Sequence, residues 1–129
     1  MVAKIFIDGE AGTTGLEIRE RLLPRKDLAL LSIAADKRKD EGAKKDLLAQ
    51  ADLVILCLPD DAAKQSVALV DSLGADAPRV LDASTAHRIA PGWVYGFAEM
   101  AAGQAGAIQA ASKVANPGCY ATGAIALLR

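Results

Sequence analysis

The sequence predicts an α/β fold: a Rossmann-like, doubly wound, mainly parallel sheet with helices on both faces. Three observations predict it. Apolar, β-branched runs alternate with helix-patterned segments along the whole chain. The runs are near-continuous in apolar residues, as strands buried on both faces are. A glycine-rich turn sits directly between the first run and the first helical segment, which is where a nucleotide pyrophosphate is held in such sheets.

Each element has its own signal. Val2 to Asp8 is the first strand, and Gly9 to Gly15 the turn. Leu16, Ile18, Leu22 and Leu23 then mark an amphipathic helix that stops at Pro24. Leu28 to Ala35 reads as a second strand, and Ala43 to Ala49 as a short helix. Leu53 to Leu58 is a continuous apolar strand ending at Pro59. Asp60 or Asp61 is the expected cap of the next helix, whose apolar face holds Ala63, Val67, Leu69, Val70 and Leu73, with Gly74 near its end. Arg79 to Ala83 is a fourth strand. Ala98 to Ala111 is helix-prone and interrupted by Gly103 and Gly106. Ser112 to Ala115 is a last short strand, and Ala121 to Leu128 begins a final helix.

A chain of 129 residues makes at most one domain, and 52% hydrophobic residues suffice for a core. Aromatics are only 4%, so that core is aliphatic. The net charge of −1, from 15 basic and 16 acidic residues, argues against nucleic acid as a partner. No apolar run reaches a membrane span, and Asp8 and Glu10 interrupt the only early apolar stretch, so neither a membrane partner nor a signal peptide is expected. Cys57, Cys119 and the single histidine, His87, have no metal-ligand spacing, so no metal is expected. A reduced, cytoplasmic setting is the simplest reading.

The turn Gly9-Glu10-Ala11-Gly12-Thr13-Thr14-Gly15 has a job for each glycine. Gly9 allows a sharp turn, Gly12 lets backbone approach phosphate oxygens, and Gly15 lets the helix pack close to the strand. Thr13 and Thr14 lie at the start of that helix. The spacing is G-x-x-G-x-x-G rather than G-x-G-x-x-G, so its strand–turn–helix context carries the reading. About twenty residues on, Asp36 stands where an acid bonds the ribose of NAD, but Lys37, Arg38 and Lys39 follow it. Basic groups there pair with the 2′-phosphate of NADP, and three cations against one acid favour NADP(H). Leu58, Pro59 and Ser84 follow the third and fourth strands and belong to the same cofactor edge.

Cys119 follows Asn116-Pro117-Gly118 and opens a helix. The unpaired N–H groups and positive dipole end at a helix start stabilise a thiolate and a developing oxyanion. A small buried cysteine at a strand-to-helix turn is the competing reading. Cys57 lies inside a strand and is expected to be inert, with its backbone near the nicotinamide side. His87 is expected to be an exposed loop histidine.

These residues resemble the shorter form of the N-acetyl-gamma-glutamyl-phosphate reductases of arginine biosynthesis. Asn116-Pro117-Gly118-Cys119-Tyr120-Ala121-Thr122-Gly123 is similar to that family's active-site signature, and Gly9 to Gly15 to its dinucleotide turn. Asp82 to Arg88 is similar to its Asp-x-Ser-x-x-x-Arg segment, and Tyr95 to Glu99 to its Tyr-Gly-x-x-Glu segment. Aspartate-semialdehyde dehydrogenases share the architecture but typically have Asn directly before Cys. The resemblance implies NADPH-dependent reduction of an acyl phosphate to a semialdehyde, with Cys119 as nucleophile forming a thioester. It further implies that Arg88 binds an anionic group of a small-molecule substrate, that Asn116 shapes the turn around the carbonyl, and that the intact enzyme is a homo-oligomer. It divides the chain into a dinucleotide-binding domain, residues 1–118, and the start of the cysteine helix, residues 119–129. A substrate domain bearing the general base is then expected beyond Arg129, with the fragment alone inactive. The alternatives are another semialdehyde dehydrogenase, of the aspartate type, and a non-catalytic nucleotide-binding module; the latter needs the glycine turn but no cysteine at a helix start. A thiol redox protein would want a second cysteine beside Cys119.

Overall fold

The computed structural model describes residues 2–128. Six parallel strands form one sheet: β1 (Ala3–Asp8), β2 (Leu28–Leu31), β3 (Leu53–Leu56), β4 (Arg79–Asp82), β5 (Val94–Tyr95) and β6 (Lys113–Ala115). Their order across the sheet is β2-β1-β3-β4-β6-β5. The chain thus runs outward from β1 to β2 and then returns to build the other half, which makes a switch point beside β1. Four helices lie between strands, α1 (Thr13–Leu22), α2 (Glu41–Gln50), α3 (Asp60–Asp71) and α4 (Gln104–Ala110), and α5 (Cys119–Leu128) follows β6.

The period of two along a strand separates the core into two layers. On one face Ile5, Ile7 and Ile55 are buried against Ile18 and Leu22 of α1. On the other, Phe6, Val54, Leu56 and Val80 pack against Leu48 of α2 and Val67 and Val70 of α3. Asp8 falls on the second face by the same alternation, which aims its carboxylate at α2 and α3. There it accepts a hydrogen bond from Ser66 Oγ at 2.6 Å and pairs with Lys44 Nζ at 3.2 Å. A buried acid at a strand end needs such partners.

Several boundaries are shorter than the apolar runs. β2 ends at Leu31, and a single 3-10 turn occupies Ala35–Lys37. β3 ends at Leu56, because Cys57 and Leu58 already bend toward the glycine turn. α4 begins only after Gly103, whose φ of +83° a side chain would resist. The two-residue β5 has no counterpart among the sequence-based strands: two residues carry no readable period. Asp60 does not cap α3. Pro59 occupies that position without a side-chain bond, and Asp60 instead accepts hydrogen bonds from the Thr85 amide (3.1 Å) and hydroxyl (2.6 Å). Asp40 does cap α2, accepting from the amides of Gly42 and Ala43.

Candidate active site

The glycine turn is built by exclusion of side chains. Gly9 has φ +95°, and a Cβ there would overlap the Cys57 carbonyl oxygen at the end of β3. A Cβ on Gly15 would overlap the Gly9 carbonyl oxygen and lie 2.7 Å from its carbon. Gly12 has ordinary room beside it; its amide donates to the Gly9 carbonyl at 3.0 Å, and its own carbonyl accepts from Leu16. Gly12 stands at the N-cap of α1 with no side-chain cap, so the first amides of the helix face outward with Thr13 and Thr14 exposed beside them. This is the arrangement that accepts phosphate oxygens.

Two cavities flank the turn. One, of about 380 Å³, is lined by Gly12, Thr13, Thr14, Leu58, Pro59 and Asn116, together with Cys57 and Ala83. It joins residues from four strand ends, among them Gly12, Thr13, Thr14, Leu58 and Pro59 of those expected at the cofactor edge, but not Gly9, Gly15, Lys37, Arg38 or Ser84. The other, of about 200 Å³, lies toward β2 and includes Gly9, Leu58, Arg38 and Lys44 in its walls. Arg38 therefore shares a cavity wall with Gly9, whereas Lys37, one residue earlier in the 3-10 turn, is not part of that wall. Lys44 is a basic residue that the sequence did not single out. It reads as one more solvated helix lysine until its pairing with the buried Asp8 is visible.

Ser84 is not an open contact. It is buried, its amide and hydroxyl both donate to Asp82 at 2.9 Å, and its oxygen accepts from the Ala86 amide. His87 is likewise the reverse of an exposed loop residue. It is 8% exposed, Nδ1 lies 2.5 Å from Asp82 Oδ2, and its ring stacks on Trp93 with centroids 4.2 Å apart. The Thr85 hydrogen bond holds the Asp60 carboxyl below its ordinary range. A lowered folded pKa means that this tie is fully present above the unfolded carboxylate pKa and lost as pH falls through the folded value. Protection of the Thr85 amide from hydrogen exchange is therefore expected to fall on acidification, and to be lost at every pH in Asp60→Ala.

The two cysteines part company. Cys57 is half-buried, and burial, reinforced by the charges of Asp8 and Asp82, pushes its thiol up. Cys119 is exposed at the first position of α5. The first bond of that helix runs from the Thr122 amide to the Gly118 carbonyl at 2.9 Å. The amides of Cys119, Tyr120 and Ala121 thus precede the helical ladder and have no partner within it. Asn116 carries the loop back to the sheet, its amide donating to the Asp82 carbonyl at 2.8 Å and its side chain to the Pro117 carbonyl at 3.3 Å.

Arg88 lies against this turn. A Cβ on Gly118 would meet Arg88 Nη1 at 2.5 Å and Cζ at 3.0 Å, so the guanidinium covers the Gly118 backbone immediately before Cys119. Its Nε is buried without a hydrogen-bond partner among the described residues. A guanidinium packed on the residue before an exposed cysteine, with its Nε unpartnered, is suited to hold an anionic ligand there.

Residues 4–108 match the model of the semialdehyde dehydrogenase NAD-binding domain. The chain belongs to the semialdehyde dehydrogenase family. It is 58% identical over all 129 residues to an N-acetyl-gamma-glutamyl-phosphate reductase of a Chelativorans species, and 57% identical to one of Mesorhizobium japonicum. It spans 41% of the length of each of these relatives. Among solved structures it resembles aspartate semialdehyde dehydrogenase of Francisella tularensis, with a TM-score of 0.65 and 16% identity over 89% of this chain and 36% of that one. It equally resembles aspartate semialdehyde dehydrogenase II of Vibrio cholerae, solved with ASA, at TM-score 0.65 and 16% identity over 99% and 45%. These structural likenesses speak to the fold, a Rossmann-like parallel sheet. Among the described residues no helix is long and apolar enough to cross a membrane.

Proposed function

We propose that this chain is the NADP(H)-binding and nucleophile-bearing part of a longer enzyme, an N-acetyl-gamma-glutamyl-phosphate reductase of arginine biosynthesis. Residues 1–118 form its dinucleotide-binding domain, and residues 119–129 start the cysteine helix that leads on to a substrate domain. The observation that carries the reading is Cys119: an exposed thiol at a helix start, on the sheet edge that also holds the side-chain-free glycine turn.

The turn formed by Gly9, Gly12 and Gly15 fits a pyrophosphate: Gly9 and Gly15, where a Cβ would strike backbone, let it fold tightly between β3 and α1, and the first amides of α1 carry no side-chain cap. Gly12, Thr13 and Thr14 would hold the phosphates, Leu58 and Pro59 the neighbouring cavity wall, and Arg38 with Lys37 the 2′-phosphate. Cys119 thiolate attacks the acyl-phosphate carbonyl, forming a C–S bond, and the C–O bond to phosphate breaks to release inorganic phosphate and leave a thioester. The amides at the start of α5 stabilise the oxyanion on the way, and Arg88 holds an anionic group of the substrate. The nicotinamide cofactor, when bound, would supply a hydride to the thioester carbon; the C–S bond then breaks, returning the Cys119 thiolate and releasing N-acetylglutamate semialdehyde. The general base belongs to the part of the enzyme beyond this chain, so residues 1–129 alone are expected to be inert. The intact enzyme is expected to be a cytoplasmic homo-oligomer.

The test is phosphate-dependent oxidation of N-acetylglutamate semialdehyde with NADP, run on the full-length protein and on residues 1–129. Turnover by the full-length protein and none by the fragment is expected. Activity only on aspartate semialdehyde would assign the aspartate-type reaction instead. Cofactor choice is tested separately by calorimetric titration of NADPH and NADH. The Arg38 guanidinium at the cavity wall favours NADPH by about tenfold or more, on the scale of one charge-assisted pair. Arg38→Ala is expected to erase most of that ratio while leaving NADH binding in place.

A further inference from the structure

His87 and its neighbours form a buried polar cluster that the proposed chemistry does not use. Asp82, fully buried at the end of β4, accepts two hydrogen bonds from Ser84. The third contact, to His87 Nδ1 at 2.5 Å, is assigned with the ring N–H as donor. The His87 ring also lies flat on Trp93, with 16° between planes. Trp93 is itself packed against the core, so the imidazole is fixed from two directions, by a hydrogen bond and by a stack. Farther back, Thr85 is tied to Asp60 at the start of α3.

The consequence falls on the next residue. Arg88 follows His87 directly, and its guanidinium must lie flat over Gly118 to stand beside Cys119. No hydrogen bond from Nε sets that position, because that atom is buried without a partner among the described residues. The chain on its N-terminal side is what is anchored. We propose that His87 is a positioning residue: its bond to Asp82 and its stack on Trp93 hold the loop in the shape that lays Arg88 against the Gly118–Cys119 turn. His87 touches no reacting atom in this account and acts through Arg88. The inference rests on the proposed role of Arg88 in binding an anionic group of the substrate.

The experiment is a double-mutant cycle in the full-length enzyme, using the phosphate-dependent oxidation of N-acetylglutamate semialdehyde. Arg88→Ala identifies which anionic reactant, phosphate or semialdehyde, depends on Arg88, by its raised KM. His87→Phe keeps an aromatic ring for Trp93 and removes the bond to Asp82. It is expected to raise that same KM by about tenfold, the scale of a misplaced binding group, with kcat changed far less and the KM for NADP unmoved. His87→Asn, whose side-chain amide can take the place of Nδ1–H, is expected to restore most of the loss. In the Arg88→Ala background His87→Phe should add nothing, since the group it positions is gone. If His87→Phe does not fold, Asp82→Asn weakens the bond with almost no change of volume, and Ser84→Ala, which removes only the Ser84 hydroxyl from the same carboxylate, is the control that separates the two contacts. Arg88→Ala effective with His87→Phe silent, or the two effects multiplying, overturns the inference and leaves the role of Arg88 standing. Arg88→Ala without effect on either KM overturns that role and the inference with it.

Discussion

Cys119→Ser in the full-length enzyme is expected to lower turnover by on the order of a thousandfold or more, because the covalent route through sulfur is lost. An alcohol is a weak nucleophile without a strong base beside it, and among the described residues the one histidine is buried on Asp82, not placed against the sulfur. The oxygen ester that serine would form is also a poorer electrophile than a thioester. Cys57→Ala is the control. That thiol is half-buried, pushed up by burial, and useful chiefly for packing, so its loss should cost about 1 kcal/mol of stability and little turnover. Alkylation followed by mass spectrometry separates the two without kinetics: Cys119 labels first and is protected by substrate. A faster, substrate-protected Cys57 would overturn the assignment. The exposure of Tyr120, 92% in this chain, marks the neighbourhood of the sulfur as open to reagent.

The fold was legible because its signals are local and long enough to read. The β1 run, the glycine turn and the apolar stripe of α1 lie within about two dozen residues, and each fixes the next. The loops after β1, β3, β4 and β6 could be put on one sheet edge for the same reason, whereas β5, with two residues and no readable period, could not. What was not legible was partnership. Ser84 at a strand end reads as a cofactor contact until Asp82 is found behind it. His87 reads as an exposed loop residue because the stack that buries it comes from Trp93, in a segment with no strand signal of its own. Lys44 looks like a helix-surface charge and Asp60 like a helix cap, and only the tertiary structure turns one toward Asp8 and the other toward Thr85. Asp8 and Asp82 themselves end strands as polar interruptions, and a strand-end acid gives no hint of which face it will take unless the alternation is followed through. Following it from Ile5 and Ile7 against Phe6 does place Asp8 on the α2 and α3 side.

Gly15→Ala is expected to remove measurable cofactor binding and to destabilise the domain by about 2–4 kcal/mol, the cost of overpacking where backbone must move. The added methyl would overlap the Gly9 carbonyl oxygen and crowd the Glu10 Cα. Neither is a flexible side chain end, so relief must come from shifting the turn or from lifting α1 off β1. Lifting α1 would strip Ile18 and Leu22 from the Ile5, Ile7 and Ile55 layer. Shifting the turn would break the Gly12 amide bond to the Gly9 carbonyl and redirect the helix-start amides that the phosphates need. Gly12→Ala separates the two effects. Its Cβ would meet only the Gly9 oxygen at 3.4 Å, an ordinary contact, so the fold should hold while the exposed methyl stands where phosphate oxygens approach. Thermal unfolding and NADPH titration of both variants give the comparison. Loss of stability and binding together in Gly15→Ala, against loss of binding alone in Gly12→Ala, is the expected pattern. If Gly12→Ala bound NADPH as tightly as the unmodified protein, the pyrophosphate would not lie over Gly12, and the turn would be a packing device between α1 and β1 only.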